Sequence, residues 1–144
     1  MARIPKSAEH EFSFQNDPTA PHALVWRDAD LKAFVAYKAS RTVFAVNRTN
    51  EALTQEQAEA QARAQVDFAT DRIVGVRNWD VEDPESGETR RLEWPADKDA
   101  VLESFSDMPP ALLQMFVDTV IVAHFPADLR SYAAVTKAVI YPNS

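Results

Sequence analysis

The chain has 144 residues, 46% of them hydrophobic, and 22 acidic against 15 basic side chains give a net charge of -7. That length fits one domain that buries about two thirds of the surface its unfolded chain exposes, and the acidic balance argues against nucleic acid, which needs an excess of Lys and Arg on one face. The absence of cysteine excludes disulfides, thiolate nucleophiles and cysteine-based metal sites, and two glycines, Gly75 and Gly87, are too few for a phosphate-cradling loop.

The first 27 residues read as extended. MARIPKSAEHEF lacks the apolar run of a signal peptide, and the absence of cysteine suits a reducing cytoplasm. Glu11-Phe12-Ser13-Phe14 alternates as a half-buried strand does, Asn16-Asp17-Pro18 reads as a turn, and His22 to Trp26 supplies a second strand. A helix begins near Asp28 or Asp30, either of which can accept hydrogen bonds from first-turn amides. Leu31, Val35, Ala39, Val43 and Val46 give it an apolar stripe, widened by Phe34, Tyr37 and Phe44, and it fades at Asn47-Arg48-Thr49-Asn50. Thr54 and Gln57 have the spacing of a capping box. They open a second helix whose face is Ala58, Ala62, Val66, Ala69 and Ile73, small enough for the two helices to pair antiparallel.

Asn78-Trp79-Asp80-Val81 and Arg91-Leu92-Glu93-Trp94 can pair across the turn Asp83 to Gly87, with Trp79 against Trp94. Asp97 or Asp99 then caps a short helix carrying Val101, Leu102 and Phe105. Met108-Pro109-Pro110 starts the next helix, since proline suits a first turn where no amide partner is needed. That helix, Ala111 to Phe125, is interrupted by Gln114, Asp118 and His124 and is too short to span a bilayer. At about 100° per residue, Leu112, Phe116, Val120 and Ala123 centre one face. Leu113, Met115, Val117, Ile121 and Val122 extend the apolar surface almost all round. A last helix is expected over Asp128 to Ala138, followed by an apolar tail at Val139 to Pro142.

These elements make an α+β fold, a mostly helical small domain with an N-terminal β element and a central β-hairpin. One domain over 1–144 is expected: extended over 1–27, a helical pair over 28–72, the hairpin over 73–95 and C-terminal helices over 97–138.

Candidate chemistry is sparse. His10, His22 and His124 stand apart, without metal-ligand spacing, and read as structural. Counted from Asp80 as a calcium loop, the sequence places Glu85 where a glycine is needed and Arg91 where a glutamate is needed, so a solvated turn is the better reading. No nucleophile elbow or paired catalytic carboxylate is evident. No catalytic residue, metal or cofactor is therefore assigned, and no enzyme activity is expected. Trp26, Trp79 and Trp94 suit packing better than a partner surface. A partner surface is instead expected on the apolar helix and the tail: Leu112, Met115, Phe116, Val120, Val122, Phe125, Tyr132 and Tyr141.

The stretch Asp71 to Phe125 resembles the tail assembly chaperones of long-tailed bacteriophages. Arg72 to Trp79 is similar to that family's V-V-G-W-x-x-V strand, with Val76 where an aromatic is more usual and Trp79 three residues later. Glu82 to Trp94 resembles its D-E-D-G-x-P-x-P-F turn and strand, although longer, and Trp94-Pro95 replaces an aromatic followed by a small capping residue. Ala100-Val101-Leu102 and Asp107-Met108-Pro109 resemble the following short helix and its stop. The resemblance covers residues 8–126. It implies a non-enzymatic chaperone in the host bacterial cytoplasm that binds the tape-measure protein, with self-association as a further possibility and neither nucleic acid nor membrane as a partner. Two alternatives stand beside it. One is a structural virion protein of the neck, tail or head decoration. The other is a small phage inhibitor of a host defence protein.

Overall fold

A computed structural model describes residues 8–47 and 54–128, the first helix beyond Arg41 as backbone alone. The described residues gather into two compact units. One holds those up to Ala29 with Asp71–Leu113; the other holds those of Asp30–Thr70 with those from Gln114 on.

In the first unit, β1 (Glu9–Ser13) and β2 (Ala23–Arg27) form the expected hairpin, Glu9 facing Arg27 and Ser13 facing Ala23. Ala23, Leu24 and Trp26 are all buried, the mark of a strand covered on both faces. β2 is accordingly central: β3 (Ile73–Arg77) pairs antiparallel along its other edge, giving the order β1-β2-β3. The register slips between Val25 and Trp26, making Val74 the extra residue of a bulge.

This pairing corrects the hairpin expected over 73–95. Ile73–Arg77 belongs to the N-terminal sheet, and the hairpin is confined to β4 (Asp80–Glu82) and β5 (Thr89–Arg91), with Asp80 facing Arg91. The cause is apolar burial: Ile73 is buried and Val76 half-buried beside β2, whereas the strand Thr89-Arg90-Arg91 is polar and exposed. The hairpin turn is closed by Asp83 N–H to Glu88 O and Gly87 N–H to Asp83 O, both 2.8 Å. Gly87 has φ 72°, a conformation that glycine reaches without strain.

Trp79 does not oppose Trp94. Leu92 N–H donates to Trp79 O at 2.8 Å, so Leu92 is Trp79's partner and Trp94 lies two residues further on. The Trp94–Pro95 peptide is cis. α3 (Lys98–Ser104) follows Asp97, whose carboxylate takes Glu93 N–H at 2.9 Å and Arg90 at 2.7 Å and does not cap the helix through its side chain. Val101 and Phe105 are buried, Phe105 opening a 3-10 turn to Asp107. α4 (Pro110–His124) begins at the second of the two prolines.

In the second unit, α1 (Leu31–Asn47) is capped as predicted, Asp30 Oδ1 accepting from Ala33 N–H at 2.8 Å. Its packed face differs from the expected stripe. Leu31 and Val35 are 78% and 53% exposed, whereas Tyr37 is buried and Phe34 half-buried. Tyr37 stacks on Phe68 at 4.3 Å and Phe34 on Phe125 at 5.2 Å. The large aromatic areas set the rotation of the helix at the expense of two aliphatic side chains. The side chains of Val43, Phe44 and Val46 lie outside the described residues.

α2 (Gln55–Thr70) carries the predicted capping box in reciprocal form. Gln57 N–H donates to Thr54 Oγ1 and Thr54 N–H to Gln57 Oε1, each at 3.1 Å. Thr54→Ala should therefore cost about 0.5–2 kcal/mol, and Thr54→Ser much less, as read by urea unfolding. Equal losses for the two variants would mean that the hydroxyl does not cap. The predicted face holds only in its second half: Ala69 is buried and Val66 half-buried, whereas Ala58 and Ala62 are exposed, Ile73 belongs to β3, and Phe68 brings the larger buried apolar area. Tyr37 in the first half of α1 meets Phe68 near the end of α2, the pairing of ends expected of antiparallel helices.

From Gln114 on, α4 turns Phe116, Val117, Val120 and Ile121 inward at 0% exposure, while Ala123, expected at the centre of the face, is exposed. His124 Nδ1 lies 2.8 Å from Val120 O, its ring edge-on to Phe68, which is a structural role. A 3-10 turn, Pro126–Asp128, ends the described chain, with Arg41 holding Asp128 through two bonds of 2.9 and 2.8 Å. The helix expected over Asp128 to Ala138 and the tail after it lie outside the described residues. No helix of the described residues is long and apolar enough to cross a membrane.

Candidate functional site

The connection between β1 and β2 is held by its own side chains. Asp17 Oδ1 accepts from Thr19 N–H, Thr19 Oγ1 and Ala20 N–H at 2.8, 2.9 and 3.1 Å, the geometry of an Asx turn. Asn16 Oδ1 accepts His22 N–H at 2.9 Å, which orients the amide and leaves Asn16 Nδ2 to donate to His22 Nδ1 at 2.8 Å. The network thereby assigns the proton of a neutral His22 to Nε2, which donates to Asp80 O at 2.9 Å. Asp80 N–H then has Asn78 O at 2.9 Å as its acceptor.

Asn78 makes the bend that brings β4 to His22. Its φ is 54°, a left-handed conformation that asparagine tolerates better than most residues, and its Nδ2 donates to Pro21 O at 3.2 Å. Immediately after it, Trp79 turns inward and is 2% exposed. The Trp79 ring meets Phe14, His22 and Phe105 edge to face at 5.7, 5.2 and 5.8 Å. Its indole N–H donates to Ser104 Oγ at 3.0 Å, and Ser104 donates in turn to Val101 O at 2.6 Å.

Over this aromatic floor lies a partly open pocket of about 510 Å³. Its apolar walls are Phe14, Trp79, Val81, Met108, Pro109 and Leu112, and its polar lining is Asn16, His22, Asp80, Glu82, Ser104 and Asp107. Both ring nitrogens of His22 and the hydroxyl of Ser104 are engaged within the chain, so neither offers a base or an activated nucleophile to a visitor. Asp80 is bound through both carboxylate oxygens by Arg91. Glu82 and Asp107 are exposed and have no cationic partner among the described residues. The arrangement can hold an apolar group beneath a negatively charged mouth.

Comparison with protein-family models, curated proteins and solved structures finds no match. The site must be read from its own geometry.

The residues expected to form a partner surface are separated by the fold. Leu112 lines the pocket in the first unit. In the second, Met115 is 57% exposed, Val122 and Phe125 are half-buried, and Phe116 and Val120 are fully buried, so those two serve the core. Phe125 stacks on Phe34, with the Arg41 guanidinium 4.0 Å from its ring centre. Tyr132 and Tyr141 lie outside the described residues. Sequence reasoning missed Phe14, His22 and Asn78 as parts of a site. Asn78 beside a tryptophan, at the end of a β-branched run, was the available signal of a sharp bend.

Three carboxylates are held below the ordinary value of 3.8: Asp80 by its hydrogen bonds with Arg91, Asp17 by the amide of Thr19 and Asp83 by the amide of Glu85. A carboxylate more acidic in the folded than in the unfolded chain contributes stability that is complete above its unfolded pKa, about 3.9, and disappears as pH falls through the folded value. Thermal stability should therefore be insensitive to these groups from pH 7 to about pH 5 and fall below about pH 4. Asp80→Asn should make the acid fall shallower. An unchanged acid limb in that variant, followed by circular dichroism, would remove Asp80 from the account.

Proposed function

We propose that the protein is a non-enzymatic assembly chaperone of the kind that serves long-tailed bacteriophages, binding the tape-measure protein in the host cytoplasm until tail tube subunits enclose it. The observation that carries this reading is the pocket: Asn16, His22, Asp80 and Ser104 are satisfied within the chain, the walls are apolar, and the exposed Glu82 and Asp107 make the opening acidic. Such a hollow suits reversible capture of an apolar segment of another protein rather than chemistry on a small molecule. The order β3, hairpin, α3, α4 also matches the order of elements through which the sequence resembles that family. Weak contacts by several copies along a long partner would add by multivalency, giving a hold that can later be released.

Co-expression with the tape-measure protein of the same phage tests the reading. The expected result is soluble tape-measure protein that co-purifies with this chain, and finished virions that lack the chain by mass spectrometry. A fixed copy number in virions without tape-measure binding would identify a structural component instead.

A further inference from the structure

We infer that the pocket of the first unit receives one large apolar side chain from a partner segment whose flanking residues are lysine or arginine. This rests on the chaperone reading above and specifies the chemistry of the partner. The volume of about 510 Å³ falls in the range of about 300–1,000 Å³ typical of ligand sites and exceeds what one side chain fills, so the anchor enters together with part of the segment that carries it. A leucine, methionine or phenylalanine side chain entering it would shed water against Val81, Met108, Pro109 and Leu112. Met108 is an unbranched thioether able to adjust to the shape of the guest. The polar atoms inside ask nothing of that guest, because Asn16, His22 and Ser104 already bond within the chain.

Charge complementarity selects the flanks. No lysine or arginine lines the pocket. Asp80 is compensated by Arg91, while Glu82 and Asp107 stand exposed without a cationic partner among the described residues. A cationic neighbour of the anchor therefore meets unneutralised carboxylates, whereas an acidic neighbour is repelled by them and by the net charge of -7. The cation itself is not the buried guest. Trp79 and Phe14 are only 2% and 9% exposed, so neither ring presents an open face for a cation.

The test is a titration of the full chain with three synthetic peptides, followed by the Trp79 indole N–H resonance in NMR spectra. The first peptide carries one leucine between paired lysines on an alanine background. The second replaces the leucine by alanine, and the third replaces the lysines by glutamates. The expected result is a saturable shift with the first peptide and binding at least about tenfold weaker for the other two. Glu82→Gln with Asp107→Asn should weaken the first peptide about fivefold to tenfold, and these exposed positions leave folding intact. Equal binding of lysine-flanked and glutamate-flanked peptides, or no movement of the Trp79 resonance with any of them, would overturn the inference. Full solubilisation of the tape-measure protein by the double variant would overturn it too, while leaving the chaperone reading standing. Peptide binding as expected without tape-measure solubilisation would support the pocket and remove the chaperone.

Discussion

Replacing Trp79 by alanine is expected to destabilise the protein by about 3–5 kcal/mol, lowering the melting temperature by roughly 10–20 °C. The ring is 2% exposed and meets three other rings, so truncation leaves a cavity bordered by Phe14, His22 and Phe105 that their edge-to-face geometry cannot close. The indole N–H bond to Ser104 is lost as well, at about 1 kcal/mol. Trp79→Phe, which keeps a ring but not the donor, should fall between alanine and wild type. Trp94→Ala is the control. Its ring is half-buried and has Lys98 Nζ 5.5 Å from its centre, so it should cost no more than about 1 kcal/mol. Unfolding by urea or heat separates the cases. A Trp94 variant as damaged as the Trp79 variant would mean that the floor of the pocket has been assigned to the wrong tryptophan.

That contrast shows what was legible in the sequence. Both tryptophans flank the same acidic turn, and a symmetric hairpin would have set them opposite each other. The actual register is set at the turn, where Asp83 N–H meets Glu88 O, while Ile73–Arg77 joins β2 instead, a pairing across about fifty residues. Long-range pairing of this kind leaves no local mark. The N-terminal hairpin, by contrast, was readable, since its alternation and turn residues lie within twenty residues of each other. The caps at Asp30 and Thr54 were readable for the same reason: an acceptor side chain and its amide are three positions apart.

Helix faces were only partly legible. Each apolar helix offered two overlapping stripes, and periodicity cannot choose between them when aromatic and aliphatic side chains stand about 100° apart. In α1 and α2 the choice fell to the aromatic, with Tyr37 and Phe68 stacked while Leu31, Val35, Ala58 and Ala62 face outward. The pocket was less legible still. Its lining comes from the β1–β2 connection, the start of β4, the end of α3 and the first turn of α4. The sheet pairing, the bend at Asn78 and the packing of Trp79 on Ser104 and Phe105 bring these segments together. Of the lining residues, Leu112 alone had been assigned to a partner surface, and for a helix face rather than a hollow.

The same ambiguity yields the other large effect. Met115 and Phe116 are neighbours on α4, both apolar and both expected on a partner surface, yet Met115 is 57% exposed and Phe116 0%. Phe116→Ala should therefore cost about 3–5 kcal/mol, the transfer energy of the ring plus the cavity it leaves. The higher helix propensity of alanine recovers only about half a kilocalorie per mole of that. Met115→Ala removes a side chain already largely in water and places the best helix former in a helix, so stability should change by no more than about 0.5 kcal/mol in either direction. Paired urea titrations decide the matter, and a reversed order would mean that α4 is rotated about its axis. The Met115 variant has a second use because its fold should be intact. Under the chaperone reading, weaker recovery of tape-measure protein at an unchanged melting temperature would make Met115 part of a contact surface in the second unit. Unchanged recovery would confine recognition to residues elsewhere, with the pocket over Trp79 the first place to look.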